Sequence, residues 1–170
     1  FRKHHGYTIT SMLTSRGCHF ECDFCSRPVF GSSYRGRSPD NIADEMECIA
    51  RYGYDRVWIA DDIFPISKKT GVAVCNEIIE RKLDVSWECL CRADIMDHEI
   101  AVKMKKAGCS RVFFGLESGN NMVLKIMNKQ ITVEQARRAV EIVNSVEMKA
   151  GAFFILGYPG ESNDTMRDTI

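Results

Sequence analysis

Tyr7-Thr8-Ile9-Thr10-Ser11-Met12-Leu13-Thr14 runs directly into Ser15-Arg16-Gly17-Cys18-His19-Phe20-Glu21-Cys22-Asp23-Phe24-Cys25. The first part reads as a β-strand over residues 7–14. The second is a C-x3-C-x2-C segment, three thiols within eight positions. Cysteine thiolates hold iron–sulfur clusters, and a cubane normally takes four. Three closely spaced thiolates wrap one face of a cubane and leave one iron without a protein ligand. An open coordination position is what a metal site needs for chemistry on a bound molecule, as catalytic zinc sites show.

The competing readings are a structural zinc site and three free thiols. Structural zinc prefers two pairs of ligands, and the chain has no second C-x2-C or H-x3-H pair. His19 is too close to Cys18 to serve comfortably as a fourth ligand. Cys89 and Cys91 form only a C-x-C inside an expected strand. The cluster reading outweighs the other two.

Downstream, β-like runs alternate with helical ones. Ser38-Pro39 opens a helix, with Ser as N-cap and Pro at its first position, and Ile42, Met46, Ile49 and Ala50 give it an apolar face. Strands are expected over residues 56–60, 85–91, 111–116 and 149–156. Helices are expected over 69–82, from Asp97 to a terminating Gly108, from the capping box Thr132-Val133-Glu134-Gln135 to about residue 146, and from Ser162. Five strand-then-helix units without hairpin signals imply right-handed crossovers and a parallel sheet, hence an α/β fold. Periodicity does not separate an open doubly wound sheet from a curved partial (β/α) barrel. Barrel enzymes place their chemistry after the carboxyl ends of the strands, and Cys18, Asp61, Asp62, Arg92, Glu117 and Glu161 all follow an expected strand.

The 170 residues hold 23 Lys+Arg and 23 Asp+Glu, a balance that argues against a general electrostatic grip on nucleic acid or an anionic membrane. No apolar run approaches the ~18 residues of a membrane span, and Phe1-Arg2-Lys3-His4-His5 lacks the apolar region of a signal peptide. The chain lacks an initiator Met and stops within a helix-like stretch, so one domain over 1–170, truncated at both ends, is expected. Eight cysteines spread unevenly through a chain this long do not read as a disulfide scaffold. A reducing cytoplasm is expected instead, with Cys48, Cys75, Cys89, Cys91 and Cys109 as small buried hydrophobes. His4-His5, Arg35-Gly36-Arg37 and Lys103, Lys105 and Lys106 read as solvated.

Ser15-Arg16-Gly17-Cys18 through Cys25, followed by further β–α units, resembles the radical S-adenosylmethionine (SAM) superfamily. The resemblance covers essentially the whole chain and implies a partial TIM-like barrel of parallel strands with about five of six β/α units present. It implies that Cys18, Cys22 and Cys25 hold a [4Fe–4S] cluster whose open iron chelates the amino and carboxylate groups of SAM. Reductive cleavage of SAM would then give a 5′-deoxyadenosyl radical that abstracts a substrate hydrogen.

The same resemblance assigns the other rim residues. Phe24 stands where the family has an aromatic near the adenine; the other reading is a loop anchor. Asp61-Asp62 replaces the family's Gly-Gly-Glu stretch, a departure that leaves open which Asp accepts from the SAM ammonium, with a helix cap as the plain alternative. Arg92 would pair with the SAM carboxylate, or is an ordinary surface arginine. Glu117, in Gly115-Leu116-Glu117-Ser118-Gly119, resembles the ribose-hydroxyl acceptor, against the reading of an exposed loop acid, which the flanking glycines disfavour. Ile155 and Gly157 resemble the adenine-binding stretch, against the reading of a core strand with a Pro-Gly turn.

The loop from Ser26-Arg27-Pro28 through Arg37-Ser38-Pro39, with Asp61-Asp62-Ile63-Phe64, resembles the branch that often carries an upstream cobalamin-binding domain. Members include methyltransferases and ring-forming enzymes of tetrapyrrole metabolism. A small-molecule substrate and an electron donor such as a flavodoxin or ferredoxin are implied. A non-catalytic iron–sulfur or zinc-binding domain is the contrasting reading.

Overall fold

A computed structural model of the chain describes residues 2–26 and 33–170. A short helix α1 (Arg2–His5) precedes strand β1 (Ile9–Met12), and two-residue strands β2 (Ser15–Arg16) and β3 (Arg35–Gly36) pair antiparallel beyond it. Then follow α2 (Pro39–Arg51), β4 (Arg56–Ile59), α3 (Lys68–Glu80), β5 (Ser86–Cys91), a 3-10 turn (Ala93–Ile95) and α4 (His98–Lys106). The chain continues through β6 (Cys109–Glu117), α5 (Asn121–Ile126), α6 (Val133–Ser145), β7 (Lys149–Phe154) and α7 (Asn163–Arg167). Strands β1, β4, β5, β6 and β7 form one parallel sheet in that order. This is the expected α/β sheet of five strand–helix units.

The expected caps are in place. Ser38 accepts from Asn41 N–H and is followed by Pro39, Asp97 accepts from Ile100 N–H, and Thr132 forms a reciprocal capping box with Gln135. Three expectations need correction. A small antiparallel pair, β2 with β3, joins the otherwise parallel fold; two-residue strands separated by a long connection leave no hairpin signature in sequence. Helix α5 was not anticipated, because its six residues are too few to establish a period. Cys48 is exposed rather than buried, since it lies two positions past the buried Met46, about 200° around the helix. Of the loop that carries the branch resemblance, Arg27 and Pro28 lie outside the described residues.

Strand alternation divides the sheet. Met12, Val57, Ile59, Trp87, Cys89, Cys91, Val112 and Phe114 are buried in the core that also holds Ile42, Met46, Val74, Ile78, Ile100 and Met104 of the helices. The opposite face is arranged in rows by the register. Trp58, Glu88, Arg111 and Lys149 align, then Leu90, Phe113 and Gly151, then Gly115 with Phe153.

Trp87 locks the core. It is fully buried, donates its indole N–H to Ala107 O at 2.7 Å and meets Phe64 edge-on at 5.6 Å. Gly108 makes the close approach beside it: at φ 91° its Cβ would lie 2.3 Å from Val85 O. Trp87→Ala is expected to cost about 3–5 kcal/mol through the cavity it leaves. Urea unfolding checks this as a lower midpoint at an unchanged slope.

Candidate metal and cofactor site

The three cysteines lie in the loop after β2, at the carboxyl end of the sheet. Cys18 and Cys22 are half-buried and Cys25 is exposed; all are free thiols. The loop is tied to the turn after α5: Asp23 N–H donates to Met127 O at 3.0 Å, and Asn128 Nδ2 donates to Glu21 O at 2.7 Å. A cavity of about 230 Å³ opens there. Its walls include the three cysteines with Phe20, Phe24, Asp62, Arg92, Glu117, Lys129 and Phe153. Burial pushes the Cys22 thiol above its ordinary range, while the charges of Lys129 and Arg92 act in the opposite direction.

The donor chemistry fits an iron–sulfur cluster. Among the described residues no three His, Cys, Asp or Glu side chains converge on a point that holds one metal ion. Cysteine thiolates are the usual ligands of such clusters, and three cysteines line one cavity here.

The two aspartates part company. Asp61 is buried and turned back to the end of β1, where it accepts from Thr14 N–H at 2.7 Å, from the Thr14 hydroxyl and from the Ser15 hydroxyl at 2.6 Å. Both of its oxygens are therefore engaged in the scaffold. Asp62 lines the cavity and accepts from Gly17 N–H at 3.0 Å.

Arg92 is buried and heavily committed. Its Nε and Nη2 grip the two oxygens of Asp94 at 2.9 and 3.1 Å, and Nη2 also donates to Lys129 O at 3.0 Å. The guanidinium stacks 3.7 Å over the Phe20 ring centroid, and Nη1 faces Cys22 Sγ at 4.0 Å. It is not a surface arginine.

Glu117 is buried at φ 66°, a left-handed conformation that costs a residue with a Cβ. Its Oε1 accepts from Lys129 Nζ at 2.7 Å, and both side chains are more than nine-tenths buried. Gly115 makes room: a Cβ there would lie 2.4 Å from Glu117 Oε1 and 3.0 Å from Lys129 Nζ. Lys129, absent from the sequence expectations, sits in a turn between α5 and α6. Only its polar, non-periodic neighbours Asn128 and Gln130 marked the position as a turn.

Phe24 meets Tyr158 edge-on at 6.5 Å, with Lys129 Nζ 5.7 Å from its ring centroid. Ile155 is half-buried and its N–H donates to Glu117 O at 2.8 Å, which ties the end of β7 to the site. Gly157 is exposed at φ 80°. Glu161 accepts from Tyr158 N–H through Oε2, while its Oε1 is buried without a hydrogen-bond partner.

A parallel β/α half-barrel with three free cysteines gathered on its carboxyl rim defines a class of barrel protein. The profile of the radical SAM superfamily matches residues 12–170, and the chain belongs to that superfamily. An uncharacterized methyltransferase of Pyrococcus horikoshii is 33% identical over 97% of this chain and 36% of its own length. The anaerobic magnesium-protoporphyrin IX monomethyl ester cyclase of Rubrivivax gelatinosus is 33% identical over 91% of this chain and 28% of its own. The chain thus spans about a third of the length of these relatives. The radical SAM methyltransferase TsrM from Kitasatospora setae, solved with cobalamin and a [4Fe–4S] cluster bound, superposes with a TM-score of 0.89 at 25% identity. That match covers 96% of this chain and 34% of TsrM. The sheet is accordingly the partial TIM-like barrel of this family, and the face opposite the helices is its inner face.

Because Glu117 and Lys129 are desolvated together, Lys129→Met leaves an uncompensated buried carboxylate, at an expected cost of about 3–5 kcal/mol. Glu117→Gln combined with Lys129→Met recovers most of that loss, as a double-mutant cycle of unfolding free energies measures.

Proposed function

We propose that Cys18, Cys22 and Cys25 hold a [4Fe–4S] cluster with which this protein cleaves SAM reductively, in a cobalamin-assisted methylation or ring-forming reaction. The observation that carries the proposal is the opening of three free cysteines onto one cavity with Asp62, Arg92, Glu117 and Lys129. Bound there, the cluster supplies a reducing electron and an open iron, the chemistry that yields a 5′-deoxyadenosyl radical from SAM.

The chain's own residues bind and orient. Asp62, rather than Asp61, accepts from the SAM ammonium, because only Asp62 faces the cavity. Glu117, paired with Lys129 at 2.7 Å, accepts from the ribose hydroxyls. Ile155 packs on the adenine, Gly157 leaves space at its edge, and Phe24 closes the loop side. Arg92, with its fork on Asp94, offers the SAM carboxylate only the Nη1 edge that faces Cys22; its main service is a fixed positive charge beside that ligand.

Cobalamin use rests on the likeness to TsrM, and methylation or ring formation on the named relatives. A small-molecule substrate fits this enzyme family. A flavodoxin or ferredoxin is the proposed electron donor. Eight free cysteines support a reducing compartment, the cytoplasm. No helix among the described residues is long and apolar enough to cross a membrane.

Anaerobic reconstitution of the full-length protein with iron and sulfide tests the proposal. The expected results are a cluster whose EPR signal changes on adding SAM, and 5′-deoxyadenosine after reduction. Cys22→Ala is expected to abolish both. Tight zinc uptake in place of iron would sink the cluster; a cluster indifferent to SAM would leave an iron–sulfur domain without this catalysis.

A further inference from the structure

The inner face of the sheet continues away from the cluster cavity toward the amino ends of the strands, and its composition changes in order. Beside the cavity stand Leu90 and Phe153, which are part of its wall. Next comes Phe113, stacked on Phe153 at 5.6 Å and 20°. Trp58 meets Phe113 edge-on at 5.5 Å. These rings lie on β4, β6 and β7, on the face opposite the helices, where Phe153 is 50% exposed and Trp58 and Phe113 are half-buried. Gly151 supports the arrangement, since a Cβ there would lie 2.5 Å from the Phe113 ring.

Charge marks the far end of this strip. In the row with Trp58, Glu88 is buried, Arg56 Nη1 approaches its Oε1 at 3.3 Å, and Arg111 Nη1 stands 3.8 Å from its Oε2. The second distance is too long for a hydrogen bond, and the Arg111 guanidinium lies 5.5 Å from the Phe113 ring centroid, a contact that leaves its N–H donors to spare. Lys149, aligned with Arg111 on β7, is exposed and makes no ion pair among the described residues. Three cations face one carboxylate at the end of an aromatic strip whose other end opens on the cluster cavity. From Arg111 to Gly115 along β6 is four residues, about 13 Å at the rise of a parallel strand.

We propose that this strip is the bed of the substrate, and that the substrate is an extended planar, multi-ring acid. Its rings lie along Trp58, Phe113 and Phe153, its anionic group is held by Arg111 and Lys149, and its reacting carbon reaches the cavity. Only the last clause rests on the function proposed above. Aromatic faces left accessible beside a reaction cavity favour a flat apolar body by offset stacking. Cations with spare donors favour an anion. The spacing between the two sets the length.

The test uses 1-pyrenebutyrate, a flat acid of about this span, titrated into the full-length protein without iron. Pyrene anisotropy and energy transfer from Trp58 are the readouts, with Trp58→Phe separating that transfer from the one originating at the buried Trp87. Saturable binding is expected, about tenfold or more tighter than that of the neutral 1-pyrenebutanol, the scale of a charged hydrogen bond, and also tighter than that of dodecanoate. Arg111→Met is expected to erase the preference for the acid over the alcohol. Lys149→Met, at an exposed side chain, does the same in part and serves should Arg111→Met fail to fold. Phe113→Leu is expected to weaken both pyrene probes.

Absence of saturable binding, equal affinity for acid and alcohol, or a preference untouched by both cation variants overturns the substrate class. Such a failure leaves the cluster reading standing, because no iron is present in the titration. Failed cluster assembly with intact, charge-dependent binding overturns the function and spares the bed.

Discussion

Parallel pairing obliges every strand of the sheet to finish on the same edge, and the loops that follow inherit that placement. The thiols after β2, Asp62 after β4, Arg92 after β5, Glu117 at the end of β6 and Ile155 after β7 come from widely separated parts of the sequence. They meet because β1, β4, β5, β6 and β7 run one way in one order. Antiparallel pairing would send alternate members to the opposite end. The helices make this possible by covering the other face, where Trp87, Val112 and Phe114 are sealed from water. The chemistry of the rim therefore depends on a core that reaches the cavity only at its edge, through Cys91.

Backbone placement alone does not orient the side chains. The cysteine loop is fixed by contacts from far along the chain: Met127 and Asn128 hold Asp23 and Glu21, and the Lys129 carbonyl holds Arg92. The same short turn sends the Lys129 ammonium to Glu117. One turn thus sets the loop that carries the thiols, the cation beside Cys22 and the acid across the cavity. Such a network is costly when half-satisfied and stiff when complete. Here its members have partners, at the expense of a left-handed Glu117.

The strands of the parallel sheet, most helix caps and the three thiols were legible in sequence because each leaves a local mark: a run of β-like residues, a Ser-Pro or Thr-x-x-Gln start, a fixed cysteine spacing. Lys129 was not, because its importance comes from a partner twelve positions away across a helix too short to register. Asp61 and Asp62 look alike in sequence; what separates them is that the fold turns one to Thr14 and Ser15 and the other to the cavity. Arg92 was expected at the rim and is there, but its capture by Asp94, Phe20 and the Lys129 carbonyl depends on tertiary contacts that no pattern encodes. Cys48 shows the converse, a residue assigned by type whose position around α2 decided otherwise.

Charge on the inner face is graded rather than balanced locally. At the rim, the Cys22 thiol stands near Lys129 and Arg92, each already tied to a carboxylate, and their charges only partly offset the burial that raises it. At the opposite end, Arg56, Arg111 and Lys149 outnumber Glu88. Between them lie Leu90, Phe113 and Phe153, which offer nothing to hydrogen-bond. On the proposed bed, a ligand with one anionic end finds uncommitted cation donors only beside Arg111 and Lys149, because Lys129 and Arg92 at the other end already hold carboxylates. Orientation is then written into the sheet before any loop closes over it.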